Sequence, residues 1–88
     1  MPTRTVTVGS AVGLHARPAA LIAQAASSAA SAVTLATSGR NPIDAGSALL
    51  IMTLGAKMGD TVVVESDDEV LVDQIARLVE QDLDAHPA

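Results

Sequence analysis

The chain has 88 residues, 49% of them hydrophobic, and a net charge of −5. It contains no Cys, Phe, Tyr or Trp, which excludes disulfides, thiolate metal sites and aromatic platforms for stacking bases. A chain this short reads as one small domain, residues 1–88, that buries only about 60% of its unfolded surface, so a single two-layer core of Ala, Val, Leu, Ile and Met is the limit.

Thr5-Val6-Thr7-Val8 is β-branched and alternates with period two, the pattern of a half-buried strand. Gly9 to Gly13 reads as a loop. Pro18 suits the first turn of a helix, where its missing N–H costs nothing, and the alanine-rich stretch behind it predicts a helix from about Ala16 to about Ala29. Ile22, Ala25, Ala26 and Ala29 follow helical spacing. Ser31 to Thr37 reads as a second strand with Val33, Leu35 and Thr37 on one side, and Ser38 to Asn41 as a turn. Pro42-Ile43-Asp44 can form only a short strand. Ser47 is placed as the N-cap of a short helix, Ala48 to Leu54, ended by Gly55. Thr61 to Glu65 predicts a strand, and Asp67 or Asp68 caps a last helix running to about Asp84. Leu71, Val72, Ile75, Leu78, Val79 and Leu83 form its apolar stripe. The order β-α-β-β-α-β-α suggests an α+β sandwich, with helices on one face of an antiparallel sheet.

Charge is unevenly placed. Residues 1–59 carry Arg4, Arg17, Arg40 and Lys57 against Asp44 alone, whereas residues 60–88 carry Arg77 against nine acids. An acidic chain is a poor partner for nucleic acid. The acidic end reads most simply as a solvated helix face. Met1 to Thr5 leads into an alternating segment rather than an apolar signal region, and no apolar run approaches the ~20 residues of a membrane helix, so a cytoplasmic protein is expected. No grouping of His, Asp and Glu has metal-ligand spacing, and no cofactor is expected.

The segment Gly13-Leu14-His15-Ala16-Arg17-Pro18-Ala19 carries the chemistry. His15 stands at or just before the N-cap, where free N–H groups and the positive end of the helix dipole favour anions. Arg17, two residues on, supplies planar donors suited to phosphate oxygens. Taken alone, the motif also fits a surface or capping histidine beside a solvated arginine. His86, beyond the last helix, reads as a tail residue. In Ala48-Leu49-Leu50-Ile51-Met52, helical spacing points Ile51 and Leu54 inward and Leu49 and Met52 outward. Geometry alone leaves open whether Leu49 and Met52 complete the core or dock a partner.

With these residues in place, nearly the whole chain resembles the HPr family, the histidine-containing phosphocarriers of the bacterial phosphoenolpyruvate:sugar phosphotransferase system. The His15 segment matches the family's active-site signature. Ser47-Ala48-Leu49-Leu50-Ile51-Met52-Thr53-Leu54-Gly55 is similar to its second signature, in which a serine opens a short helix. The resemblance implies an open-faced β-sandwich of four antiparallel strands with three helices on one face. It implies a monomeric carrier, not itself an enzyme. His15 would accept a phosphoryl group through Nδ1 from phosphorylated enzyme I and pass it to the A domain of a sugar-specific enzyme II. Arg17 would pair with the phosphoryl oxygens, with Ala16, Arg17 and Pro18 forming the helix start that holds the charge. Ala20, Ala48, Leu49 and Met52 would face the partners, and Ser47 matches the serine that a regulatory kinase modifies in many members. Gly46 stands where the family commonly has lysine, and Gln24, Ser27 and Leu50 stand where some members carry lysines. Glu65 to Glu69 replaces a Gly-rich turn. Two rival readings are a regulatory module acting through Ser47 and a small interaction domain in which His15 only caps a helix.

Overall fold

The structure, a computed structural model, describes residues 2–9, 13–14, 16–37 and 39–81. His15, Ser38, Leu83, Asp84 and His86, and most of the loop expected between Gly9 and Gly13, lie outside the described residues. The elements in chain order are β1 (Thr3–Thr7), α1 (Ala16–Ser27), β2 (Val33–Thr37), β3 (Ile43–Asp44), α2 (Ala48–Thr53), β4 (Thr61–Ser66) and α3 (Glu69–Glu80).

Alternation in the strands builds the two faces of the sheet. The four strands run in the order β1-β4-β2-β3, every neighbouring pair antiparallel. Val64 of β4 lies opposite Arg4 on one side and Leu35 on the other, and Leu35 lies opposite Ile43. Val62 likewise lies between Val6 and Thr37. This set faces the helices. The adjacent rows, Thr3–Glu65–Thr34–Asp44 and Thr5–Val63–Ala36, lie on the other face, which no described helix covers. β1 and β2 are parallel to each other with β4 between them, so β1-α1-β2 is a split crossover. The unit β3-α2-β4 is a second one, spanning β2. Placing both crossover helices and α3 on one side gives the open-faced sandwich.

The helical layer is built from an alanine-rich α1 and an α3 with larger branched side chains. In α1 the buried positions are Pro18, Ala19, Ile22, Ala23 and Ala26, and the helix packs on α2 and α3. In α3 they are Leu71, Val72, Ile75, Ala76 and Val79. Ile22, Leu35, Ile51 and Ile75 are the largest fully enclosed side chains, each contributing about 1.5–3 kcal/mol by burial. Asp68 is the N-cap of α3, its carboxylate accepting from the N–H groups of Val70 and Leu71 at 3.0 and 3.4 Å. Arg4 reaches across the rim to Asp73 (3.2 Å) and Glu80 (4.0 Å) of α3. These pairs are solvent-exposed and stabilise little.

Several boundaries differ from the sequence expectation. β1 begins two residues earlier and ends at Thr7, β2 begins at Val33, and β4 extends to Ser66. α1 ends at Ser27, whose hydroxyl turns back onto the Gln24 carbonyl at 3.3 Å, and Ala25 and Ala29 are half-buried where Ala19 and Ala23 carry the stripe. α3 stops at Glu80 rather than near Asp84, because Gln81 takes an extended backbone. Thr37 is half-buried at the strand end.

Ser66 is the polar group that the alternation pattern hides. It is buried at 1% exposure. Its hydroxyl donates to the Ala32 carbonyl at 2.6 Å and accepts from the Asp68 N–H at 3.2 Å, tying the end of β4 to the entry of β2 and to the cap of α3. Ser66→Ala removes both of these part-buried bonds and is expected to cost about 0.5–1.5 kcal/mol for each in urea unfolding, with the fold retained.

Candidate functional site

The candidate site is assembled where three segments meet at the start of α1. Gly13 has φ +80, a conformation open to glycine and strained for other residues. A Cβ there would lie 2.5 Å from the Ala56 carbonyl oxygen and 3.1 Å from the Lys57 Cα. The next residue, Leu14, is buried, and its N–H donates to that same Ala56 carbonyl at 3.0 Å. The chain is therefore pressed against the loop after α2 immediately before His15 in sequence.

That loop is itself anchored. The Lys57 N–H donates to Asp60 Oδ2 at 2.9 Å and the Asp60 N–H returns to the Lys57 carbonyl at 2.9 Å. Val8 N–H bonds the Asp60 carbonyl, and Gly59 N–H bonds the Val8 carbonyl. The end of β1 thus holds the turn that holds Leu14. At the other end of the His15 loop, the Gly9 N–H donates to the Val79 carbonyl at 3.1 Å. A Cβ on Gly9 would overlap the Glu80 carbonyl oxygen.

Directly after His15 comes α1. Ala16 and Arg17 are exposed, while Pro18 and Ala19 are buried. The first-turn N–H groups of a helix have no intrahelical acceptor, and Pro18 has none to offer. No acidic residue stands in this first turn, so the positive end of the twelve-residue dipole is not neutralised. Arg17 forms no ion pair with any described residue. Arg17 is exposed.

The second signature behaves as its sequence suggests. Ser47 is the N-cap of α2, its hydroxyl accepting from the Leu50 N–H at 3.2 Å. Asp44 orders the approach, its Oδ1 accepting from the Gly46 N–H at 2.8 Å. Ile51 and Leu54 point into the core. Leu49 is 69% exposed, and Met52 and Leu50 are exposed beside it. On α1, Ala20, Leu21 and Gln24 are exposed. Ala48 is half-buried against the core and contributes less open surface than Leu49. The pattern did not single out Leu21 as an exposed apolar residue, nor the contact of Gly13 with Ala56. The glycine two residues before His15 was its only signal. Among the described residues no group of His, Asp and Glu could hold a metal ion, and no helix is long and apolar enough to cross a membrane.

Replacing Gly13 by alanine combines the positive φ with the Ala56 contact. Gly13→Ala is expected to destabilise the protein by about 1–3 kcal/mol, read as a lowered urea midpoint with an unchanged slope.

Residues 2–81 match the family model described as the PTS HPr component phosphorylation site. The chain is 39% identical over 90 residues to the phosphocarrier protein HPr of Streptomyces coelicolor, covering 99% of this chain and 97% of that one. It is 39% identical over 67 residues to the protein of the same name from Cupriavidus necator, covering 76% and 74%. Among solved structures, HPr of Thermoanaerobacter tengcongensis superposes with a TM-score of 0.86 at 30% identity, over 99% of this chain and all of that one. HPr of Bacillus anthracis does so with a TM-score of 0.82 at 27% identity, over 89% and 95%. With both signatures in place on a matching sandwich, the chain belongs to the HPr family of phosphocarrier proteins of the phosphotransferase system.

Proposed function

We propose that His15 accepts a phosphoryl group from phosphorylated enzyme I and passes it to the A domain of a sugar-specific enzyme II. The observation that carries this reading is the start of α1: directly after His15 come an acid-free first turn and an Arg17 with no ion pair to any described residue. In the forward step the neutral imidazole attacks phosphorus with its Nδ1 lone pair. The bond from phosphorus to its donor atom breaks, and that electron pair leaves with the donor. Reversal of the same step onto enzyme II empties the carrier. Phosphoryl transfer needs positioning and charge stabilisation more than covalent assistance. The N–H groups of Ala16 and Arg17, the helix dipole and the Arg17 guanidinium supply both. The protein is then a cytoplasmic, monomeric relay that is covalently modified and discharged, not an enzyme with a pocket of its own.

Exposed Ala20, Leu49 and Met52, with Ala48 at their edge, form the surface on which partners dock. Ser47 lies at the base of this surface as the cap of α2. A phosphate added there by a serine kinase suits the helix start and adds charge beside Leu49, weakening docking without unfolding the protein.

Incubation with phosphoenolpyruvate and enzyme I tests the reading. The wild-type protein is expected to gain acid-labile, base-stable phosphate, and His15→Ala to gain none while unfolding normally. Full labelling of His15→Ala would overturn the assignment. Arg17→Ala is expected to slow transfer by roughly ten- to a hundred-fold, the loss of one hydrogen bond to a charged group, with the urea midpoint unchanged. Wild-type transfer rates in that variant would remove Arg17 from the chemistry.

A further inference from the structure

Where β2 ends and β4 begins, separate stretches of chain enclose a cleft of about 460 Å³, within the size range of small-molecule sites. Thr37 closes β2 on its lining and Thr61 opens β4. Arg40 comes from the turn after β2, Asp60 from the turn before β4, and Leu54 and Gly55 from the end of α2. Among the described residues, buried Leu54 is the one large apolar side chain in the lining.

The walls are held by bonds that use little of this chemistry. The Arg40 N–H donates to the Thr37 carbonyl at 3.1 Å, and Arg40 Nη1 reaches the Thr53 carbonyl at 3.5 Å. Most of the guanidinium's five donors are thereby left unengaged by described residues. Asp60 Oδ2 accepts from the Lys57 N–H at 2.9 Å, and the Asp60 main chain is tied to Val8 and Lys57. Neither charge forms an ion pair with any described residue. A guanidinium and a carboxylate thus line one cleft, each fixed by its own segment, and stay more than 4.0 Å apart. The Thr37 and Thr61 hydroxyls have no hydrogen-bond partner among the described residues.

We propose that this cleft binds a small zwitterion of the amino-acid class, its carboxylate on the Arg40 guanidinium and its ammonium on the Asp60 carboxylate. The charges of the lining select that class. A simple anion meets Asp60 as a repulsive neighbour, and a simple cation meets Arg40 as one. A molecule carrying both charges satisfies both, and the two threonine hydroxyls supply neutral hydrogen bonds beside them. An apolar ligand would find little besides Leu54 to pack against. The site involves no residue of the His15 segment, so it stands or falls apart from the carrier reading.

Amide NMR titration of the unphosphorylated full chain tests this. The probes are glycine, β-alanine and γ-aminobutyrate, whose two charges lie progressively further apart. Acetate and methylammonium at matched ionic strength are the single-charge controls. At least one of the three zwitterions is expected to give saturating shifts in the millimolar range at Arg40, Gly55, Asp60 and Thr61, with the controls at least about ten-fold weaker. Arg40→Gln and Asp60→Asn are each expected to weaken that binding about five- to ten-fold. The asparagine oxygen can still accept the Lys57 N–H, so the urea midpoint is expected to hold. Arg40→Gln touches none of the bonds of the Lys57–Asp60 turn and decides the matter even where Asp60→Asn loosens it. No saturation with any zwitterion, an equal response to acetate or methylammonium, or unchanged affinity in Arg40→Gln would overturn the proposal.

Discussion

The contact of Gly13 and Leu14 with the Ala56 carbonyl is the constraint on which the rest of the site depends. A helix start can favour an anion wherever it lies in a protein. It becomes a transfer site only if the nucleophile is held in one place relative to that start. Here the chain before His15 is pinned to the loop after α2, and that loop is pinned to the end of β1 through Val8, Gly59 and Asp60. The chain after His15 enters a helix whose third and fourth residues are buried. In the proposed carrier role, a histidine between these two segments would need no enclosing pocket, because a docking partner would close the site.

The absence of aromatic residues shapes the same region. With Ala19, Ala23 and Ala26 on the inner face of α1, the small core is filled mainly by branched aliphatics from the other elements. α2 has only Ile51 to bury along its length and Leu54 at its end. Its other large side chains, Leu49, Leu50 and Met52, are left outward. A six-residue helix with one buried side chain is held mainly at its two ends, by the Ser47 cap and by the anchored loop of Ala56 and Lys57. The outward apolar residues of α2 and the loop that anchors Gly13 and Leu14 therefore belong to one short stretch, residues 47–57.

Much of this was legible in the sequence because local physics decides it. The threonine–valine alternation of β1, the valine run of β4, the α3 stripe as far as Val79 and the Ser47 cap all act within a few residues, and the structure contains each of them. The less legible features depend on tertiary partners. Ser66 looks like an ordinary strand end until the Ala32 carbonyl and the Asp68 N–H converge on it. The last helix continues in propensity past Glu80, but its last turn meets the Gly9 loop and the backbone turns extended. Gly13 reads as a loop glycine, and only the approach of Ala56, 43 positions away in sequence, shows why a side chain is excluded. In the candidate site the residue types were readable. The bracing of Gly13 and Leu14 by the loop after α2 was not.

Amide spectra recorded before and after phosphorylation by phosphoenolpyruvate and enzyme I test the central claim most directly. If the phosphoryl group is held between the start of α1 and the loop after α2, the largest shifts fall on the amides of Ala16, Arg17, Ala56 and Lys57. The middle of β4 and of α3 stays in place. Largest shifts at Ser47 to Leu50, or around His86, with the start of α1 unmoved, would contradict the account.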